Sequence, residues 1–191
     1  VNALRAPARA TNGEWGSYFD GAKKASASGP AVKADAAVGG VRYNYGKVRA
    51  IAMSQGAKKS IVDAAIEEAT LQDVDPKLVL AIIQRESEYD PRAVGTSGEI
   101  GLMQLMPGTA RDMGVYDSNN LFDERTNIRA GIKYLRWMAN FLGLDIDFSN
   151  IRRVAEHKKR ALLAANNAGV GNVLKWRKKF GENFQILFAT T

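Results

Sequence analysis

Residues 81–110 read AIIQRESEYDPRAVGTSGEIGLMQLMPGTA, and the rest of the chain is organised around this stretch. Its first part is helical. Stepping back from Glu86 by three and four reaches Ile83, Ile82 and Val79, so Glu86 continues an apolar stripe while Arg85, Ser87 and Glu88 point elsewhere. A carboxyl group on such a stripe loses water, and desolvation raises its pKa. A carboxylic acid kept protonated near neutral pH is a good general acid. Taken alone, a Glu on a helix is more often an ion-pair partner or a backbone cap than a catalyst. Beyond it, Tyr89-Asp90-Pro91 stops the helix, because a residue before proline avoids helical geometry. Gly95, Gly98 and Gly101 then punctuate a loop that reads as a small hairpin. Leu102-Met103-Gln104-Leu105-Met106 is apolar with one amide in its middle, and Pro107-Gly108 closes it.

This order of pieces resembles a known family. Glu86-Ser87, then Pro91-Arg92-Ala93-Val94, then SGEIGLMQLMPGTA from Ser97 to Ala110 are similar to the catalytic motif of the soluble-type lytic transglycosylases (the SLT domain, glycoside hydrolase family 23), relatives of the goose-type lysozymes. Asn127-Ile128, Gly131 and Tyr134-Leu135 resemble the family's NI..G..YL helix. Ala165-Asn166-Asn167-Ala168-Gly169, followed by Gly171-Asn172-Val173, resembles its AYNAG.GNV motif. The resemblance runs from about Ser60 to Arg177 and rests on three motifs in order; GLMQ alone would be weak.

The resemblance implies a mainly α, lysozyme-like (goose-type/SLT) helical domain with a small loop or hairpin. It also implies cleavage of the bond between N-acetylmuramic acid and N-acetylglucosamine in peptidoglycan. Glu86 would protonate the glycosidic oxygen and then, as carboxylate, take the proton from the muramoyl C6 hydroxyl. That hydroxyl closes on C1 and leaves a 1,6-anhydro end. Ordinary glycosidases need two carboxylates. Here Glu88 is off the stripe and Asp90 lies past the helix; Glu99, in the loop, remains a candidate for approach. Chemistry and family position together suggest Ser87 as a group that orients the acid, Gln104 as a partner for an N-acetyl group, and Met103 as a pliable apolar wall or simply core. They add Tyr134 as a core aromatic with its hydroxyl at the cleft edge, and Asn166 and Asn167 as substrate contacts. Gly101 and Gly169 are places where backbone comes close to other groups. Two positions depart from the pattern. Asn166 stands where the family has tyrosine, and Val170 where proline is frequent. Asn is shorter than Tyr, so rate and positioning are in question, and another residue such as Tyr116 is a candidate to complete the site.

Composition narrows the alternatives. The chain of 191 residues with 46% hydrophobic content is long enough for one domain and a tail. It has no Cys and a single His, His157, which sits beside Lys158, Lys159 and Arg160. Thiol nucleophiles, disulfides, thiolate metal sites and paired-His chemistry are therefore absent, and no metal or cofactor is expected. There is no GxxxxGK[ST] phosphate loop and no apolar run near the roughly 18 residues of a membrane span. The net charge is +7, of which residues 1–50, with eight Lys or Arg against Glu14, Asp20 and Asp35, carry +5. A basic segment suits anionic partners or serves solubility. Nucleic-acid binding rests on charge alone, and the near-balanced remainder speaks against it.

Residues 1–45 read as a basic, Ala/Gly-rich, irregular extension, and 46–191 as the catalytic domain. The stretch 21–40 has only Val32 and Val38 as larger apolar residues, too little to offset ordering entropy. Trp15, Tyr18 and Phe19 form an aromatic cluster before it, suited to docking on the domain or on an envelope-spanning or phage assembly. Val41 to Ala57 mixes both periods. Ser60 reads as an N-cap, Asp75-Pro76 as a second helix start, Thr109 to Met113 as a short helix ended by Gly114, and 117–120 as a turn. A long helix begins near Asp123, with Ile128, Ile132, Leu135 and Met138 or Ala139 inward, and ends at Gly143. Ile151 to about Asn166 and Asn172 to Phe180 read as further helices. The first residue is Val, which is compatible with export and processing or with trimming. A peptidoglycan enzyme works outside the cytoplasm, in periplasm, at the wall or on a virion. The competing functions are a hydrolase of the goose-lysozyme kind and a weakly catalytic wall-binding or assembly protein.

Overall fold

Asp75 and Pro76 start the helix that carries Glu86. The Asp75 carboxylate accepts from the Lys77 N–H at 2.9 Å, and Pro76 occupies a first-turn position whose N–H would be unsatisfied anyway. The computed structural model describes residues 37–38, 41–42 and 45–181. Within them a short antiparallel pair, β1 (Ala37–Val38) and β2 (Val41–Arg42), precedes the helices α1 (Tyr45–Ser54), α2 (Lys59–Leu71) and α3 (Pro76–Ser87). After the loop come α4 (Pro107–Asp112), a first 3-10 turn (Ser118–Phe122) and the long α5 (Glu124–Phe141). A second 3-10 turn (Phe148–Arg153), α6 (Glu156–Ala168) and α7 (Val170–Phe180) complete the order. The mainly helical expectation holds. Trp15, Tyr18 and Phe19 lie outside the described residues.

α2 and α5 form the central helix pair, with α3 laid against α2. Ile61 and Ile66 from α2, Ile83 from α3 and Ile128, Ile132 and Leu135 from α5 are all at most 1% exposed. An ion pair crosses the α2–α5 seam: Arg129 Nη2 and Nε approach the Glu68 carboxylate at 2.7 and 3.0 Å, and Glu68 is 1% exposed. Two-pronged binding is what makes burial of that carboxylate tolerable.

Two boundaries differ from the sequence reading, and one open stretch is resolved. The second helix starts at Lys59 with Lys58 before it, and Ser60 lies inside it, its hydroxyl 3.2 Å from Glu124 Oε1. The ambiguous stretch after Val41 resolves into β2 and α1, whose Tyr45 is fully buried. The helix expected from Ile151 to Asn166 is two elements, because Asp147 caps a 3-10 turn by accepting from Ser149 N and Asn150 N. Asn150 there has φ −143° and ψ 67°, outside helical space, and α6 starts only at Glu156. The helix expected to run from Asp75-Pro76 to about Ser87 does end at Ser87, ahead of the point the proline requires. Glu88 and Tyr89 both take left-handed backbone, φ 52° and 66°. Left-handed non-glycine residues are costly and persist where the surroundings over-determine them. Tyr89 is 4% exposed and its hydroxyl donates to Gln55 Oε1 at 3.1 Å, so packing holds the turn.

Asn127 fastens the loop to the helices. It is fully buried, its Nδ2 donates to Ile100 O (2.9 Å) and Leu121 O (2.8 Å), and its Oδ1 accepts from Met103 N–H (2.8 Å). Gly101 has φ +77° and no room for a Cβ, which would sit 2.3 Å from Asn127 Nδ2. One turn along α5, Gly131 makes space for Met103: an added Cβ would lie 2.2 Å from its Sδ and 3.0 Å from its Cβ. Gly131→Ala is therefore expected to cost about 1–2 kcal/mol despite its better helix propensity. Chemical denaturation checks this, and a stabilised variant would show that Met103 can move away freely.

Candidate active site

Glu86 projects from the last turn of α3, half-buried, with Ile82 and Ile83 beneath it. The helix that places its partner is α6, 80 residues later. Asn166 Nδ2 donates to Glu86 Oε1 at 3.1 Å, and Asn166 is 5% exposed. Burial is the largest influence on Glu86 and pushes its pKa above the ordinary carboxyl value. The positive charge of Arg85 and the Asn166 hydrogen bond act downward, and the Glu99 charge adds to the upward push. The net direction is up, toward a carboxyl that holds its proton.

The loop brings Glu99 into this field. Glu99 is 4% exposed and its Oε2 accepts from Ser97 N–H at 3.0 Å. Backbone bridges Val94 to Ile100 and Ile100 to Leu105 fold the loop on itself, giving the small hairpin-like turn expected there. Replacing Glu99 by Gln removes a negative charge, so the Glu86 pKa should fall. The alkaline limb of the pH–rate profile, where the acid loses its proton, is then expected at lower pH. An unmoved limb would mean that Glu99 does not act on the acid.

The remaining expected site residues fall into different places. Ser87 makes no hydrogen bond to the acid; its hydroxyl lies 2.9 Å from Leu102 O and 3.1 Å from Ile83 O, so it ties the loop to the end of α3. It is 9% exposed rather than pointing outward, because the loop covers it. Gln104 adopts φ 46° and is 6% exposed. Its Nε2 donates to Gly101 O (2.9 Å) and Ala93 O (3.2 Å), which leaves only Oε1 for another partner. Met103 is 3% exposed and seated on Gly131, in the core rather than on a wall of the cleft. Tyr134 is the core aromatic expected, but its hydroxyl is buried rather than at a cleft edge. It is 1% exposed, stacked on Trp137 at 5.7 Å between ring centroids, and its hydroxyl has no partner among the described residues. Burial first, and the Asp112 charge second, push that hydroxyl's pKa up. Asn167 is half-buried, next to Asn166 in the chain. Tyr116 is 80% exposed and does not complete the site around Glu86.

Asn127, which the motif contained but for which no role was foreseen, is what holds Met103 and Ile100 in position. Its signal was an amide on the inward stripe of α5, four residues before Gly131. Among the described residues, no group of three or more His, Cys, Asp or Glu is arranged to hold a metal ion.

The family model described as the transglycosylase SLT domain matches residues 63–187. The chain belongs to this SLT-domain family. Membrane-bound lytic murein transglycosylase C of Photorhabdus laumondii subsp. laumondii is 37% identical over 119 residues, 58% of this chain and 32% of that protein. The protein of the same name from Haemophilus influenzae is 36% identical over 110 residues, 53% of this chain and 29% of its own. The chain thus spans about a third of the length of these curated relatives. Among solved structures, an inactive mutant of the lytic transglycosylase Slt from Pseudomonas aeruginosa superposes with a TM-score of 0.51 at 26% identity, over 64% of this chain and 19% of that one. The SLT-domain motifs read from the sequence all lie inside the matched span.

Proposed function

We propose that this SLT domain is a peptidoglycan lytic transglycosylase that cleaves the MurNAc-β-1,4-GlcNAc bond with Glu86 as its one proton-transfer residue. The observation that carries the reading is the Glu86–Asn166 contact on a carboxyl whose burial favours the protonated form. The protonated Glu86 donates to the glycosidic oxygen as the C1–O bond breaks. The resulting carboxylate takes the proton of the muramoyl C6 hydroxyl while that oxygen bonds to C1. No water is consumed, and Glu86 ends protonated again. The Asn166 amide serves both states, since its N–H supports the carboxylate and its carbonyl accepts from the acid when the amide turns over. Gln104 offers its Oε1 alone to a sugar, and Asn167 is kept as a substrate contact by its motif position beside Asn166; Ser87, Met103 and Tyr134 act behind the surface.

Mass analysis of muropeptides released from purified sacculi tests this, because the anhydro product is lighter by one water than a hydrolytic product. Predominantly reducing ends would favour the goose-type hydrolase instead. That second reading has one specific support, the buried second carboxylate Glu99, whose charge reaches Glu86. A weakly catalytic wall-binding or assembly protein is the third; the retained Glu86 and its bonded Asn166 count against it.

The substrate places the domain outside the cytoplasm, in the periplasm, at the wall or on a virion. Among the described residues, no helix is long and apolar enough to cross a membrane. The catalytic unit is taken as 46–191, with residues 1–45 as a basic extension suited to contact with an envelope-spanning or phage assembly. A chain starting at Tyr43 is expected to fold and keep its activity on small soluble glycans. Loss of solubility or activity in that shortened chain would make the extension part of the domain.

A further inference from the structure

The net charge hides a division. Residues 86–124, which hold Glu86, the loop, α4 and the first 3-10 turn, contain eight acidic residues against Arg92 and Arg111, a net of −6. Residues 151–181, which hold α6 and α7, contain nine Lys or Arg against Glu156 alone, a net of +8. The Glu86–Asn166 bond joins the two segments, so the acid lies where an acidic stretch of the chain meets a basic one.

Part of the positive charge is already used. Glu156 pairs with Lys159 at 2.7 Å and with Arg160 at 3.6 Å, and Lys158 lies 3.6 Å from Asp145. Arg152, Arg153, Lys175 and Lys178 are exposed and make no ion pair among the described residues. A surface kept soluble by charge usually mixes both signs. A one-sign excess beside a cleft instead concentrates anions there and speeds their capture.

Reach singles out the ligand. α7 begins at Val170, four residues after Asn166, and Lys175 and Lys178 lie about 8 and 12 Å along it at helical rise. Arg152 and Arg153 lie beyond the opposite end of α6, on the order of 20 Å from Asn166. The sugars of a glycan strand in the cleft carry little charge at that distance. A five-residue peptide stem, extended, spans up to about 17 Å and carries free carboxylates along it.

We propose that Lys175 and Lys178, with Arg152 and Arg153 as a second pair, form a docking surface for the carboxylates of the peptide stems, so that the substrate is peptide-bearing rather than bare glycan. The proposal rests on the transglycosylase reading and names the form of its substrate. The stems meet the α7 lysines first, and the contact is electrostatic and open to solvent.

The test compares glycan strands with intact stems against strands whose stems an amidase has removed; the latter keep only the lactyl carboxylate next to the sugar. The wild type is expected to cleave stem-bearing strands with about tenfold higher kcat/KM at low ionic strength, an advantage that shrinks at high salt. Lys175→Gln with Lys178→Gln should bring the ratio close to one, and Arg152→Gln with Arg153→Gln should lower it less. All four sites are exposed, and melting temperatures check that the fold is kept. A wild-type ratio of one, or an unchanged ratio in the lysine variant, overturns the proposal. So does a lysine variant that loses binding to phosphatidylglycerol vesicles while its ratio stays as in wild type, since the surface would then face a membrane. Co-sedimentation of the Glu86→Gln chain with both strand types separates this idea from the reaction. Preferential binding of stemmed strands by a chain whose native form cuts neither keeps the docking surface and removes the transglycosylase; equal binding of both removes the docking surface.

Discussion

Glu86→Gln is expected to slow peptidoglycan cleavage by roughly 10²–10⁴-fold, the usual contribution of a positioned general acid, with the fold intact. Gln keeps the shape of Glu and an oxygen that accepts from Asn166 Nδ2, now 3.1 Å from Glu86 Oε1, so the α3–α6 contact survives. It cannot release a proton to the glycosidic oxygen. The same substitution has a thermodynamic signature. Because folding raises the pKa of Glu86 above the ordinary carboxyl value, the folded chain holds this proton more tightly than the unfolded one. The stability linked to that proton is fully present below the unfolded value and is lost as pH rises through the folded value. A Gln at this position never ionises. The variant should therefore melt no lower than wild type near neutral pH, and above it if desolvation dominates, with the difference vanishing in acid. Cleavage of sacculi by Glu86→Gln at the wild-type rate would falsify the assignment of the acid.

Much of this could be read from residue order, because it rested on local rules. The apolar stripe ending at Glu86 and the Asp75-Pro76 start of α3 are properties of a few neighbouring residues, and both appear as expected. Distant partners were less legible. The sequence showed Asn166 as a departure that weakened the site; only the packing of α6 against the end of α3 shows an amide long enough to reach the acid. Ser87 was read as orienting the acid, Gln104 as a partner for an N-acetyl group, and Met103 as a cleft wall or simply core. They turned inward because a loop closed by left-handed residues has backbone groups of its own to satisfy, and Ser87 and Gln104 donate to those carbonyls. Tyr134 went into the core because its place on α5 falls on the inward stripe with Ile128 and Leu135. The break before α6 was missed because Asp147 caps a turn through a side chain, a bond that hydrophobic period does not encode.

Asn166 is where sequence and structure pull furthest apart, and its variants should show which is right. The tyrosine of related domains was expected to steady the acid, and its absence to leave the acid without help. The structure shows the Asn166 N–H already on Glu86 Oε1. A hydrogen bond to a charged group is worth roughly 1.5–3 kcal/mol, which corresponds to about tenfold to more than a hundredfold in rate. Asn166→Leu, close in volume and without a polar group, is expected to lose that much in kcat. It also removes an influence that lowers the Glu86 pKa, so the alkaline limb of the pH–rate profile should move to higher pH, opposite to the shift expected for Glu99→Gln. A structural defect at position 166 would lower the rate without moving the limb. Asn166→Tyr sets a stricter condition. The site is 5% exposed and packed, so a ring there must displace α6 or its neighbours. The expected result is a lower melting temperature and no gain in rate. A faster Asn166→Tyr enzyme of unchanged stability would show that the pocket kept room for the ring and that the amide does only part of the tyrosine's work.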